Sequence, residues 1–137
     1  MRITPENIQA DDIKDFDVFV FGSNESGMHG AGAAFFAMKY LGARKGQGFG
    51  FSKNTFAIPT KDWDLKTLPL NVIQFYVERF IEATKRYPHT LFYVTQIGCG
   101  LAGYTPQEIA PMFKTAMNLK NVYLPQSFWD VLFQEER

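Results

Sequence analysis

Two glycine-rich stretches, each entered from an apolar run and left into a helix, constrain this chain more than any other feature. The first reads FDVFVF (residues 16–21) and then GSNESGMHGAGAA (22–34). The second reads TLFYVTQI (90–97) and then GCGLAGYTP (98–106). A short apolar run rich in Val and Phe, closed by a turn cluster, is what a strand covered on both faces requires. Glycine at the strand exit lets the backbone turn sharply and lets a ligand approach, because no Cβ stands in the way. Small residues, then apolar ones at helical spacing, place a helix from near Gly30 or Gly32 to Tyr40. Thr105, Pro106 and Glu108 form the N-cap, N1 and N3 set of a helix running to about Asn118.

The remaining segments keep the alternation. TFAI (55–58) predicts a strand stopped by Pro59, and the preceding stretch, with Gly42, Gly46, Gly48 and Gly50, predicts a flexible loop. Pro69 opens a long helix to about Tyr87, with Val72, Ile73, Tyr76, Val77, Phe80 and Ile81 on one face and Pro88 as its stop. Residues 121–124 predict a fourth strand. Ser127 predicts the cap of a last helix holding Phe128, Trp129, Val131, Leu132 and Phe133. Strands and helices in turn make an α/β domain with a mostly parallel sheet and helices on both faces. Ligands in such sheets bind beyond the strand carboxyl ends, where both glycine loops fall.

The chain has 137 residues, 46% hydrophobic and 20% charged, which suits one domain with a real core. Its 14 phenylalanines can fill that core or line a pocket for a flat ligand. Fourteen Lys and Arg balance 14 Asp and Glu, so no basic field draws in nucleic acid, and only a local patch such as Arg44, Lys45 and Lys53 remains. Cys99 is alone, so no intrachain disulfide forms, as in a reducing compartment. The start, MRITPENIQADD, is too polar for a signal peptide, and no apolar run nears the ~18 residues of a membrane span. A soluble cytoplasmic protein without a membrane partner is expected. Two His and one Cys are too few for a Cys/His zinc site, and no cofactor is implied.

Backbone N–H groups at a helix start point outward and favour an anion, so each loop is a candidate phosphate cradle. In the first, Gly22, Ser23, Asn24, His29, Gly30, Ala31, Gly32 and Ala33 are the candidate ligand-binding residues, with Asn24 offering donor and acceptor to a sugar hydroxyl. In the second they are Gly98, Cys99, Gly100, Leu101, Ala102, Gly103 and Tyr104. The spacing matches neither the GK[ST] phosphate loop nor GxGxxG. Read alone, either loop also fits a tight turn with close helix–strand packing; together they fit a clamp on a diphosphate. Tyr104 can stack on a sugar or base, or serve as core. His29 can donate to phosphate or act as a general acid, and as a loop histidine it can simply face water. Cys99, between glycines at a helix entrance, sits where a thiol pKa can fall.

HGAGAA after a strand ending near Asn24, then AIPTKD, then IGCGLAGY, resembles the macrodomain superfamily across roughly residues 17–124. The terminal ADP-ribose protein glycohydrolase branch looks nearest, and a bacterial and phage macro-like family carries similar motifs. The resemblance implies a three-layer α/β/α fold holding ADP-ribose, free or on a modified protein, at the carboxyl edge of the sheet. Asn24 would stand near the distal ribose, residues 30–33 along ribose and diphosphate, residues 98–104 opposite, and Phe128 or Trp129 over the adenine. The resemblance has one of Asp11, Asp12, Asp15 and Asp17 meet the adenine amino group; read from the residues alone, they are solvated charge before the first strand. Lys61 falls where that branch uses a lysine against the anomeric carbon, and an amine of lowered pKa can attack there. The branch has an aspartate directly after GCGL; this chain has Ala102, leaving Asp62, Glu25 or His29 as substitutes. Three functions stay open: an ADP-ribose-binding module, an ADP-ribosyl hydrolase, and an interaction or structural domain whose glycines serve packing alone.

Overall fold

The computed structural model describes residues 1–135. Five strands form one mixed sheet: β1 (Val18–Asn24), β2 (Gly50–Ser52), β3 (Thr55–Lys61), β4 (Phe92–Val94) and β5 (Val122–Tyr123), in the order β2-β3-β1-β4-β5. β3, β1, β4 and β5 run parallel, and β2 lies antiparallel on β3. The helices are α1 (Gly32–Phe36), α2 (Leu70–Lys85), α3 (Pro106–Ile109) and α4 (Gln126–Glu135). None among the described residues is long and apolar enough to cross a membrane.

β1 is central and buried on both faces, as its Val-Phe run requires. Val18 and Val20 enter one core with β3, α2 and α4 residues, while Phe19 and Phe21 enter a second with Ala34, Ala37 and Leu41. Five of the 14 phenylalanines, Phe56, Phe80, Phe92, Phe113 and Phe128, are buried in the first core. Phe80 stands edge-on to Phe56 at 5.0 Å and to Phe92 at 5.7 Å, and Phe113 packs on Phe128 at 5.6 Å. Such pairs add about 0.5–1.5 kcal/mol each beyond the area they bury. Along α2, Ile73, Val77, Phe80 and Ile81 form the buried stripe.

Several expectations are revised. β3 runs through Pro59 to Lys61, because β2 pairs only as far as Ala57 and the missing N–H then costs no cross-strand bond. Part of the glycine-rich stretch read as a loop is β2, folded onto β3 by a two-residue turn at Lys53 and Asn54. After Phe36 the first helix widens into a π turn, Ala37–Leu41, ended by Gly42 at φ 91°. Past Ile109 the third helix tightens into a 3-10 helix, Ala110–Asn118, where Pro111 removes an i→i−4 hydrogen bond. α4 starts at Gln126, so Ser127 lies inside it and caps nothing.

Candidate functional site

β3, β1 and β4 are consecutive parallel neighbours, so their carboxyl ends share one edge of the sheet. Their exits line a single cleft of about 470 Å³. β1 and its loop supply Gly22, Ser23, Asn24, Met28, Gly30, Ala31, Gly32, Ala33 and Ala34. β3 and the turn behind it supply Thr60, Lys61 and Leu65, and the chain beyond β4 supplies Thr95, Gln96, Ile97, Gly98, Gly100, Leu101 and Ala102. The two glycine loops therefore face one cavity. A register shift between Ser23 and Asn24 brings Asn24 beside Lys61.

Gly30 and Gly100 have no structural reason to be glycine. Neither has a positive φ, and a Cβ built on either meets no heavy atom within 4 Å. Among the described residues, no hydrogen bond takes up the N–H groups of Gly30, Ala31, Gly100, Leu101 or Ala102. Lys61 is the sole charged residue among those lining the cleft, and no ion pair among the described residues engages its ammonium. Free amides and one cation without a carboxylate make a lining suited to an anion.

Several candidate side chains are committed elsewhere. Asn24 Oδ1 accepts from Ser26 Oγ at 2.8 Å and Met28 N at 2.9 Å, while its Nδ2 donates to Met28 O at 2.7 Å. Its amide pins the loop rather than standing free for a sugar. Ser23 Oγ donates to Gly48 O at 2.8 Å. His29 is buried, with Nε2 3.1 Å from Arg44 O and its ring edge-on to Phe21 at 5.3 Å, and it does not line the cleft. Asp62 does not line the cleft, and its Oδ1 accepts from Asp64 N at 2.8 Å and Lys66 N at 3.0 Å. Glu25 accepts the Tyr76 hydroxyl at 2.6 Å, away from the cleft.

In the second loop, Cys99 packs against the core, and burial, then Glu108, pushes its thiol up to about 11. The expected fall is reversed, because the side chain turns toward apolar surroundings rather than toward helix amides. Tyr104 also meets the core and donates to Leu68 O at 2.7 Å. Gly103 does not line the cleft but turns the chain at φ 88°. Phe128 and Trp129 are 0% and 3% exposed, so neither offers a face to a ligand. Their helix turns Gln126, Ser127 and Asp130 outward instead.

Those three residues line a second cavity of about 660 Å³, whose other wall is Thr4, Pro5, Glu6, Asn7, Ile8 and Gln9. It shares Gly32, Ala33, Thr95 and Gln96 with the first cleft, so the two spaces adjoin. Phe36, half-buried, is its aromatic surface, with the buried Phe19 5.2 Å away behind it. Asp11, Asp12, Asp15 and Asp17 line neither space; Asp12 and Asp17 accept backbone N–H groups of their own turns. Sequence reading missed Met28, Thr60, Leu65, Thr95 and Gln96 as lining residues. Thr60, Thr95 and Gln96 stand at the exits of parallel strands, a place that the strand-end rule does mark.

No protein-family model and no curated protein sequence matches the chain. A solved structure described as that of a protein of unknown function from Bacteroides thetaiotaomicron is similar, with a TM-score of 0.55 and 16% identity over 85% of this chain and 92% of that one. At this identity the likeness shows the fold alone.

Proposed function

We propose that the cleft binds ADP-ribose or a related NAD-derived nucleotide, in a three-layer α/β/α arrangement of the macrodomain kind. The observation that carries this is the pair Gly30 and Gly100, both facing one cavity and both bare of protein at the Cβ position. Unpaired amides beside each supply donors for a diphosphate, and Lys61 supplies the counter-charge. In this reading the outer cavity takes the adenosine half, against the partly exposed Phe36. Both volumes lie within the range of about 300–1,000 Å³ usual for small-molecule sites. Titration calorimetry with ADP-ribose tests it, and no heat at millimolar ligand overturns it. A ligand at about 100 times its Kd adds about 2.7 kcal/mol of stability, readable as a thermal shift.

A second reading, hydrolysis of an ADP-ribosyl linkage, draws on Lys61 lining the cleft without an ion-pair partner. Its neutral amine would attack the anomeric carbon and expel the protein side chain as the leaving group, which takes up a proton. Water would then cleave the lysine–ribose bond to free ADP-ribose and the amine. Against it, no carboxylate lines that cleft, and Ala102 occupies the place where the resembling branch has its aspartate. Release of ADP-ribose from a modified protein, lost in Lys61→Ala, would establish it; undiminished release removes Lys61 from the chemistry. A purely structural role for both loops is disfavoured by the open space at Gly30 and Gly100.

A further inference from the structure

Among the described residues only Lys53 and Leu65 are non-glycines at positive φ, 49° and 65°. Lys53 sits in the two-residue turn between β2 and β3, where positive φ is the norm. Leu65 follows the turn that closes the antiparallel bridge between Lys61 and Thr67. Glycine or asparagine ordinarily fills such a place, because a bulky L side chain there crowds the next carbonyl. Strain of this kind persists only where the surroundings impose it.

The surroundings do impose it. Asp62 Oδ1 accepts from the N–H groups of Asp64 and Lys66, and Asp62 N donates to Lys66 O at 2.7 Å. Leu65 N donates to Asp62 O at 3.1 Å. Thr67 Oγ1 donates to Ala102 O at 2.9 Å, tying the turn to the second glycine loop. Burial does not offset the strain: the Leu65 side chain is 46% exposed and joins neither core. It lines the cleft with Lys61, as do the exposed Met28 and Leu101.

We infer that Leu65 is a ligand-contact residue held in a strained backbone, and that Asp62 is its positioning residue. The leucine packs against the apolar C–H face of a sugar ring at the Lys61 end of the cleft and keeps water from the amine. This rests on the nucleotide reading above. The turn trades fold stability for a fixed apolar contact, so removing the leucine moves stability and affinity in opposite directions.

The test compares wild type, Leu65→Asn and Leu65→Gly by thermal unfolding without ligand and by calorimetry with ADP-ribose. Leu65→Asn, whose side chain tolerates positive φ, raises the ligand-free Tm by about 2–4 °C. Affinity for ADP-ribose falls about tenfold in both variants, the equivalent of about 1.4 kcal/mol. Asp62→Ala weakens binding in the wild-type background but not on top of Leu65→Asn, the signature of a residue acting through another. Wild-type binding with both Leu65 variants within twofold overturns this proposal and leaves the nucleotide reading standing. A lower Tm in both variants overturns the strain, and no wild-type heat overturns the nucleotide reading together with the proposal.

Discussion

Gly27 and Gly30 stand three residues apart in one loop and do opposite things. A Cβ on Gly27 would collide with the backbone of Gly46 and Gln47, and its φ is 72°. Gly48, on the neighbouring loop, is as confined, since a Cβ there would meet the carbonyl oxygens of Asn24 and Glu25. Gly30, and Gly100 across the cleft, would carry a Cβ into empty space. The first pair is tight against protein. The second is open, and no neighbouring protein atom accounts for its bareness. Glycine count marks a crowded loop, but the filled or empty space beside each glycine says what crowds it.

The comparison breaks first at Gly27. Gly27→Ala should lose about 3 kcal/mol in urea denaturation through backbone overlap at positive φ; a wild-type midpoint would end the distinction. Gly30→Val and Gly100→Val should stay within about 0.5 kcal/mol of wild-type stability while ADP-ribose affinity drops at least tenfold. Unchanged affinity in both would return these glycines to the structural class.

The same contrast extends to charged and polar groups. Lys61, without an ion pair among the described residues, should matter to ligand alone. Lys61→Ala is expected to weaken ADP-ribose binding about fivefold and flatten its salt dependence, with stability unmoved. Tyr76 is the protein-facing counterpart and carries the smallest effect. Its hydrogen bond to Glu25, then burial, push the phenol from 10.0 up to about 12. Because the folded value lies above the unfolded one, the contribution is whole below pH 10 and fades as pH rises towards 12. Tyr76→Phe should therefore flatten the alkaline fall of the urea midpoint; identical alkaline limbs would remove Tyr76 from that balance.

Elements with a strong period were legible. The stripe of α2 and the Val-Phe run of β1 appear as read, because burial on one face or on both leaves a plain pattern. β2 was not legible: with Gly50 and Ser52 in three residues, only its pairing with β3 makes it a strand. Joining the two glycine loops in one cleft followed from parallel alternation. The fate of Asn24 did not, because its amide turns back on its own loop at Ser26 and Met28. Nor did that of His29 and Cys99, since which hydrogen bond or apolar wall claims each side chain depends on segments farther along the chain. Arg44, which receives His29, is 15 residues away. The wall built by residues 4–9 left no sequence signal at all, because short polar segments take their place from what they border.

β3, β1 and β4 hold one another through a continuous ladder, with neighbouring strands about 4.8 Å apart. Both sides of the slot and the amine at its end therefore issue from the same rigid comb. On the proposed reading, ligand enters a gap already formed, so selection among isomers falls to outline and desolvation rather than to a closing motion. The free and loaded backbones should superpose.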